Sequence, residues 1–310
     1  MSERKILARA CAPGKVILFG EHAVVYGRPA IAAPVQQVHA RAEIWSADAC
    51  VVEAADLQQR VLVEQAPVED PYAQIVRLTC EALGRPLPSW RIRVSSEIPI
   101  AAGLGSGAAI SAAIVRAMLA AFGARLRQER ISALVYEVEK IHHGAPSGID
   151  NTVVVYEQPV WFVRGLSPQP FAVAQPIHLL IADTGVPSPT KIAVGDVNRA
   201  WKQDKSRYEA LFDAVGDVAQ RARNAIETGD VAALGSLMNE NQRILIEMGV
   251  SSPELERLIW AARAAGALGA KLSGGGRGGN MIALVRGQDE VRVGRALLEA
   301  GAVRVIKTAF

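Results

Sequence analysis

Cysteines and aromatic residues are scarce in this chain. Of its 310 residues only 3 are cysteines, Cys11, Cys50 and Cys80, and 5% are aromatic. An odd number of widely separated cysteines without a Cys-x-x-Cys pair predicts neither a disulfide framework nor a zinc site, and it favours reduced thiols. Because aromatic residues are so few, Ala, Val, Leu and Ile must fill most of the core.

The chain also lacks a strong excess of one charge and a convincing membrane segment. Lys plus Arg number 34 and Asp plus Glu number 31. A net charge of +3 over this length does not indicate a nucleic-acid-binding surface. Residues 1–10 are basic but have no apolar signal-peptide core, so we expect a cytoplasmic protein. The long apolar stretch 98–122 is interrupted by Pro99, three glycines and Arg116, so we interpret it as a loop followed by a buried helix rather than a membrane span.

Hydrophobic residues, by contrast, make up 50% of the sequence, which is enough for two cores in a chain of this length. Strand-like and helix-like segments alternate up to about residue 182, and a turn-rich segment then leads into a mainly helical tract. The sequence therefore predicts an α+β protein with an N-terminal nucleotide-binding domain, residues 1–182, and a C-terminal domain, residues 183–310.

Hydrophobic periodicity places the main elements. Apolar residues recur with a helical period over 72–83, 108–122 and 129–143. The β-branched run 153–156 predicts a strand. After residue 190 the pattern predicts one long helical tract, 192–228, with a break near Gly216.

A glycine-rich loop lies between a predicted strand and a predicted helix, at residues 99–109. Such a loop leaves backbone N–H groups free at the positive end of a helix, where they suit a phosphate. Gly103, Gly105 and Ala108 also match the GxGxxA dinucleotide fingerprint, but no acidic residue follows at the required distance, and no lysine completes a Walker motif. A phosphate cradle and a tight packing turn both remain open for the loop taken alone.

Three further segments accompany this loop in a fixed order. Residues 12–27 read APGKVILFGEHAVVYG, residues 143–151 read HGAPSGIDN, and residues 271–279 read KLSGGGRGG. Together the four segments resemble the galactokinase, homoserine kinase, mevalonate kinase and phosphomevalonate kinase (GHMP) superfamily over residues 10–285. Residues 12–27 and 143–151, with residues 238–241, are most similar to the mevalonate kinase family.

This resemblance implies a GHMP-kinase-like fold, with an N-terminal domain like the second domain of ribosomal protein S5 and a ferredoxin-like C-terminal domain. It implies an ATP- and Mg²⁺-dependent kinase that phosphorylates the 5-hydroxyl of mevalonate for isoprenoid biosynthesis. It also suggests a homodimer, with small molecules rather than nucleic acid or membrane as partners. Phosphoryl transfer needs a phosphate cradle, a divalent cation and a placed hydroxyl.

The resemblance also assigns the residues of the nucleotide and metal sites. Glu139 is expected to bind Mg²⁺ because a carboxylate oxygen is the hard ligand that this cation prefers, and Ser106 is expected to assist it. The residues expected to contact the nucleotide are Ser96, Ala101, Ala102, Gly103, Leu104, Gly105, Ser106 and Gly107.

The resemblance makes Asp150 the catalytic carboxylate facing the substrate hydroxyl, and Lys15 its cationic partner. An ordinary aspartate is a weak base for an alcohol, so orientation and electrostatics must contribute more than basicity. Glu21, His22 and Thr190 are expected to contact the substrate.

Three positions depart from the family pattern. Gly107 replaces a second serine that the family associates with magnesium, so Ser106, water or ATP oxygens must complete the metal shell. Ser188 stands where a basic residue would aid substrate binding. Arg277 interrupts the glycine run, and the sequence does not decide between a charge directed to the site and one directed to solvent.

Other functions remain open at this stage. The same chemistry would serve phosphomevalonate, homoserine, a sugar or the 3-hydroxyl of mevalonate. A non-catalytic ligand sensor would have little reason to keep Lys15, Glu139 and Asp150 together. The spacing argument above makes a nicotinamide-dependent dehydrogenase the weakest alternative.

Overall fold

The structure is a computed structural model that describes residues 6–99, 103–143, 146–188 and 190–310. Within these residues the chain forms eleven β-strands and nine α-helices. The strands are β1 (Ile6–Phe19), β2 (Ala30–Ser46), β3 (Val51–Ala54), β4 (Gln59–Leu62), β5 (Trp90–Ser96), β6 (Val160–Phe162), β7 (Gln169–Pro170), β8 (His178–Asp183), β9 (Gly269–Ser273), β10 (Asn280–Val285) and β11 (Arg304–Ala309). The helices are α1 (Pro71–Leu83), α2 (Ser106–Phe122), α3 (Gln128–His143), α4 (Ile149–Tyr156), α5 (Thr190–Gln203), α6 (Lys205–Thr228), α7 (Val231–Glu247), α8 (Pro253–Ala264) and α9 (Glu290–Glu299).

The described residues fall into two compact units, each built from separate stretches of chain. Unit 1 comprises 6–14, 38–99, 105–143 and 146–157, and unit 2 comprises 15–37, 103–104, 158–188 and 190–310. Strands β1 and β2 are long enough to run from one unit into the other. The single domain boundary expected at residues 182/183 stays a prediction, because compact units and sequence domains are different divisions of the chain.

Unit 1 packs four helices with a sheet. Its strands follow the order β4, β3, β5 and β2, with β3 and β5 parallel and β1 paired to β2. Helix α2 is the centre of the helical layer, because it contacts α1, α3 and α4. Its small apolar residues are buried from Ala108 to Leu119, as expected for the loop and buried helix predicted over 98–122. No helix among the described residues is long and apolar enough to cross a membrane.

Helix α4 replaces the strand that the sequence predicted at Val153–Tyr156. Its β-branched residues favour strands intrinsically, yet Val153, Val154 and Val155 are buried in a helix that packs against α2 and α3. Gly148 precedes the helix in a left-handed conformation, with φ 91°. The strand prediction is therefore wrong because tertiary packing overrides local propensity.

Unit 2 contains a four-stranded antiparallel sheet in the order β11, β8, β10 and β9. The buried faces of α6, α7, α8 and α9 supply its apolar core, with Phe212, Leu245, Leu258 and Val293 fully or almost fully buried. In the same unit, residues 30–32 of β2 pair with β6, and β6 pairs with β7.

Polar side chains of α7 satisfy the outer edge of β9. Asn239 Oδ1 accepts the Ala270 N–H at 3.1 Å, and Gln242 Oε1 accepts the Leu272 N–H at 2.9 Å. The helix approaches this closely because Gly235 faces Gly269; a Cβ on Gly269 would lie 2.1 Å from the Gly235 carbonyl oxygen. Part of the 238–241 sequence motif therefore serves to close a sheet edge.

The helical tract after residue 190 breaks at Asp204, not at Gly216 as the sequence predicted. Asp204 caps the N-terminus of α6 by accepting the Arg207 N–H at 3.1 Å. Gly216 lies inside α6, where a Cβ would come within 3.1 Å of the Arg28 side chain. The glycine therefore permits close packing, whereas the capping aspartate starts the helix.

Candidate active site

The turn that follows β1 carries two predicted substrate residues. Gly20 has φ 97°, and a Cβ there would lie 2.4 Å from Ala30 Cα, so only glycine fits. His22 has φ 60° and ψ −49°, and the Ala23 N–H donates to the Glu21 carbonyl at 2.6 Å. This geometry is a γ-turn of the rare type with positive φ at its central residue. Such a backbone conformation is strained for any residue other than glycine.

Glu21 is fully buried beside this turn. One carboxylate oxygen accepts from the Lys271 ammonium, and the other accepts from Asn241 Nδ2 at 3.1 Å. Neither side chain of the Glu21–Lys271 ion pair is exposed to solvent. Burial lowers the pKa of Lys271, and the attraction of the Glu21 carboxylate opposes that shift.

His22 is neutral at pH 7. Burial lowers the pKa of its imidazole from 6.5 to about 4. Nε2 lies 3.0 Å from the Gly275 carbonyl oxygen, which only accepts hydrogen bonds, so Nε2 carries the proton. Nδ1 is then an acceptor, and among the described residues no group hydrogen-bonds to it. The ring therefore retains one acceptor for a donor such as a hydroxyl.

The glycine-rich segment 273–279 organises several of these groups. The Ser273 hydroxyl donates to the Ile17 carbonyl at 2.9 Å, which ties the segment to β1. A Cβ on Gly275 would lie 2.8 Å from Thr190 Oγ1, so the Thr190 hydroxyl packs directly on the backbone that also holds His22. The structure therefore brings His22 and Thr190 to the same glycine.

Lys15 lies within β1 and is 3% exposed. Its backbone N–H donates to the Leu104 carbonyl at 3.0 Å, so the strand anchors the end of the glycine-rich loop that precedes α2. Gly103 in that loop has φ 80°, and a Cβ on it would come within 3.8 Å of the Ser273 carbonyl oxygen. The two glycine-rich segments thus adjoin at this point.

Arg277 is held by an acidic residue of α5. Its guanidinium pairs with Asp196, and its backbone N–H donates to the Val250 carbonyl at 2.8 Å. The hydrogen bond from Arg277 lowers the pKa of the Asp196 carboxyl. Ser188 donates to the Gly276 carbonyl at 2.9 Å, so Ser188 and Arg277, two of the three residues that depart from the family pattern, brace the glycine segment.

In unit 1, Asp150 occupies the first turn of α4. The neighbouring Asn151 is buried, and its Nδ2 donates to the Ser132 hydroxyl at 2.8 Å and the Ser132 carbonyl at 3.2 Å. Because Ser132 belongs to α3, these bonds fix the start of α4 against α3 and thereby set the position of Asp150.

Glu139 lies on α3 and is 2% exposed, unlike its neighbour Glu137, whose exposed side chain pairs with Lys140. Ser106 is the first residue of α2, and Gly105 precedes it in a left-handed conformation with no side-chain cap. The first N–H groups of α2 therefore have no partner within the helix or from a capping side chain. An anion suits such a helix start.

Ser96 ends β5, and its hydroxyl is engaged within the chain, accepting the Ile98 N–H at 3.2 Å. Its contact with a nucleotide stays a prediction. Ala101 and Ala102, which were also expected to contact the nucleotide, lie outside the described residues.

Sequence reasoning missed two residues of this site. Lys271 was noted only as the first residue of the glycine-rich segment 271–279, and Asn241 only as part of a family motif. The available signal was a lysine inside an otherwise apolar strand, since a fully buried lysine needs a paired carboxylate. The pairing itself spans 250 positions, from Glu21 to Lys271, which no local pattern encodes.

Comparisons with known proteins decide the family. Residues 71–158 match the GHMP kinases N terminal domain, and residues 222–303 match the GHMP kinases C terminal family. A protein of Pyrococcus horikoshii named mevalonate kinase is 34% identical over 96% of this chain and 94% of its own length. The chain belongs to the GHMP kinase family. Its fold is the α+β two-domain fold of these ATP-dependent kinases, as the sequence predicted.

Two other relatives indicate which members of the GHMP kinase family this chain resembles. A protein of Aeropyrum pernix, also named mevalonate kinase, is 37% identical over 90% of this chain and 89% of its own length. The crystal structure of L. major mevalonate kinase in complex with R-mevalonate superposes with a TM-score of 0.84, at 27% identity, over 100% of this chain and 98% of the other. The full-length relatives place the chain among the mevalonate kinases of the GHMP family.

Proposed function

We propose that this protein transfers the terminal phosphoryl group of ATP to the 5-hydroxyl of mevalonate. The observation that carries the proposal is the similarity to mevalonate kinases over 96% of the chain. The L. major relative was solved with R-mevalonate bound, which supports the same substrate here. A cytoplasmic location, and a homodimer with no nucleic-acid or membrane partner, complete the proposal.

The nucleotide phosphates bind at the start of α2 in this proposal. Gly105 and Ser106 present backbone N–H groups that the helix leaves unpaired, and the helix dipole favours negative charge there. Gly103, with its positive φ, and the other loop residues up to Gly107 approach the phosphates closely because they carry little or no side chain.

The residues present fit a magnesium ion that takes most of its ligands from the nucleotide and water. The buried carboxylate of Glu139 and the hydroxyl of Ser106 are hard oxygen donors of the kind Mg²⁺ prefers. In the described parts of the chain no three His, Cys, Asp or Glu side chains gather that would hold a metal by themselves. When bound, the cation neutralises charge on the phosphates.

Asp150 orients the acceptor hydroxyl and receives its proton late in the transfer. Lys15 supplies positive charge that offsets the negative charge developing on the phosphoryl group. The rigid start of α4, fixed by Asn151 and Ser132, favours this role because a positioned carboxylate orients better than a mobile one.

His22 and Thr190 bind the substrate in this proposal. The neutral imidazole accepts a hydrogen bond from a substrate hydroxyl at Nδ1, and the Thr190 hydroxyl lies on the same Gly275 backbone. Both carboxylate oxygens of Glu21 already have protein partners, so the proposal assigns the substrate contact to His22 and Thr190, and the direct contact expected of Glu21 stays an untested prediction.

An acceptor panel tests the proposal. Purified protein is incubated with ATP, Mg²⁺ and mevalonate, phosphomevalonate, homoserine or galactose, and ADP release is followed. We expect rapid turnover with mevalonate and a ³¹P signal split by the two protons of a CH₂–O–P group, which marks the 5-phosphate. An unsplit signal would indicate the tertiary 3-phosphate, and ATP binding without turnover of any acceptor would indicate a sensor.

Two matched variants on helix α3 test the assignment of Glu139 to the magnesium site. Glu139→Gln is expected to raise the Mg²⁺ concentration needed for half-maximal activity by roughly tenfold or more, because a ligand charge is lost. Glu137→Gln, which changes an exposed glutamate two positions away, should leave that concentration unchanged. Equal behaviour of the two variants would remove Glu139 from the metal site.

A further inference from the structure

A strained backbone conformation must be held by its surroundings. His22 is the central residue of the γ-turn with φ 60° and ψ −49°, a conformation that is strained for a residue with a side chain. It persists only where neighbouring groups on both sides fix it. The orientation of His22 therefore depends on the residues that hold this turn in place.

The residue before His22 is fixed by a buried charged cluster. Both oxygens of the Glu21 carboxylate are bound, one by the Lys271 ammonium and the other by Asn241 Nδ2 at 3.1 Å. The Lys271 ammonium also donates to the Leu272 carbonyl at 2.6 Å. Glu21 and Lys271 have no exposed side-chain surface, and Asn241 is also fully buried. A carboxylate bound at both oxygens in a dry environment has little freedom to rotate.

The backbone and ring of the turn are fixed from other directions. The Val24 N–H donates to the Gly20 carbonyl at 3.1 Å, and the His22 ring donates to the Gly275 carbonyl at 3.0 Å. Lys271 and Gly275 are four residues apart in β9 and the segment that follows it. The same stretch of chain therefore holds both the carboxylate before His22 and the imidazole itself.

We propose that Lys271 is a positioning residue for the substrate site: through Glu21, with Asn241 as second donor, it holds the γ-turn that orients the free acceptor nitrogen of His22. This inference rests on the proposed function, since it assigns that nitrogen to the substrate hydroxyl. It differs from a direct role for Glu21, because the Glu21 carboxylate acts here on the turn and not on the substrate. Lys271 contacts no substrate in this account.

A mutant cycle with His22 tests whether Lys271 acts through the histidine. Lys271→Met is expected to raise the KM for mevalonate roughly tenfold to a hundredfold, because displacing a contact by about 1 Å has effects of this size. The KM for ATP should change less than about twofold. In a His22→Asn background, the same lysine substitution should lower kcat/KM by less than about threefold, because residues that act as a unit are not additive.

Two further variants separate positioning from loss of folding. Lys271→Met leaves the Glu21 carboxylate buried without its cation, so Glu21→Gln/Lys271→Met removes both charges and should recover thermal stability without recovering the KM for mevalonate. Arg263→Met is the matched control, because its guanidinium donates to the Ala270 carbonyl at 2.5 Å, next to Lys271 on the same strand. This control should lose stability and keep the KM for mevalonate within about twofold.

The imidazole signals of His22 give a readout that does not depend on activity. In ¹⁵N-labelled protein we expect a neutral ring protonated at Nε2, and in Lys271→Met a shifted or exchange-broadened His22 signal. Unchanged His22 signals, an unchanged KM for mevalonate, or equal lysine effects in both backgrounds would overturn the inference. If the wild-type protein phosphorylates no acceptor, the proposed function fails, and the ¹⁵N spectra still decide whether Lys271 positions His22.

Discussion

The two units carry their candidate functional groups on different kinds of framework. In unit 1, Glu139 and Asp150 lie on helices α3 and α4, whose buried faces pack against α2. In unit 2, His22 lies in a strained turn, and its ring is held by a glycine-rich segment. One framework is regular and apolar, whereas the other is irregular and depends on buried polar contacts.

This difference separates two ways of fixing a side chain. A helix fixes its residues through many small apolar contacts, so the loss of one hydrogen bond is tolerated. The turn in unit 2 depends on a few contacts, each with a buried charged or polar partner, and a buried charge that loses its partner is strongly destabilising. Substitutions at the functional groups of unit 1 should therefore reduce activity with little loss of folding stability. Substitutions in unit 2 should reduce both activity and folding stability.

The largest expected effect lies in unit 1. Asp150→Asn should lower kcat by about 10³-fold or more while nucleotide still binds, because a positioned proton acceptor and its charge are lost. Steady-state kinetics and nucleotide titration measure the two quantities. Glu157→Gln, at the other end of α4 where the side chain pairs with Arg116, is the control and should keep near-normal kcat. Near-normal turnover in Asp150→Asn would remove Asp150 from the mechanism.

A glycine substitution tests the dependence of unit 2 on its turn. Gly20→Ala should lower the free energy of unfolding by roughly 3 kcal/mol or more, because the new Cβ would lie 2.4 Å from Ala30 Cα and φ is 97°. Gly27→Ala, at φ 82° with open space around it, should cost only about 1 kcal/mol. Denaturant unfolding compares the pair, and equal costs would show that the close approach at Gly20 does not matter.

The buried imidazole predicts a pH dependence of stability. The pKa of His22 is lowered to about 4, so between pH 6.5 and 4 the unfolded chain binds more protons at this residue than the folded protein. Stability is therefore lost on acidification, and from pH 7 to pH 5 His22 should account for about 2 kcal/mol of the loss. Denaturant unfolding of wild type and His22→Asn at both pH values isolates this contribution, and parallel losses would show that His22 titrates normally.

The smallest effect is expected at the link between α3 and α4. Ser132→Ala removes the hydroxyl that Asn151 contacts at 2.8 Å but keeps the backbone acceptor, so it should cost about 1 kcal/mol. Ser236→Ala on α7 removes only an exposed bond from the hydroxyl to the Ala232 carbonyl one turn earlier, so it should cost less than about 0.5 kcal/mol. A large fall in kcat without a stability change in Ser132→Ala would mean that this link positions Asp150 more stringently than we infer.

The same contrast explains what the sequence could predict. The apolar stripe of α3 and the Ala-rich α2 follow from helical periodicity, and the glycine loop follows from its composition. Helix α4 was missed because its β-branched residues favour a strand locally, and the break at Asp204 was missed because the prediction rested on Gly216 alone. These errors concern local propensity, and the corrections come from packing and capping.

The polar contacts of unit 2 lay beyond sequence reasoning for a different reason. The partners of Glu21 are 220 and 250 positions away, at Asn241 and Lys271. Such pairings arise only when distant segments meet in the folded core, and neither periodicity nor spacing encodes them. The family resemblance directed attention to Glu21 and His22, but it did not reveal which groups hold them.

A mutant cycle between Lys15 and Asp150 tests the central claim most directly, because the proposed function requires both residues to act on one phosphoryl transfer. We predict that Lys15→Met lowers kcat by about 10²-fold or more and Asp150→Asn by about 10³-fold or more, and that the double variant loses little beyond the more severe single variant. Nucleotide binding by Asp150→Asn should persist. The account would be contradicted if the fold-losses in kcat of the two single variants multiply in the double variant. Near-normal turnover in either single variant would contradict it as well.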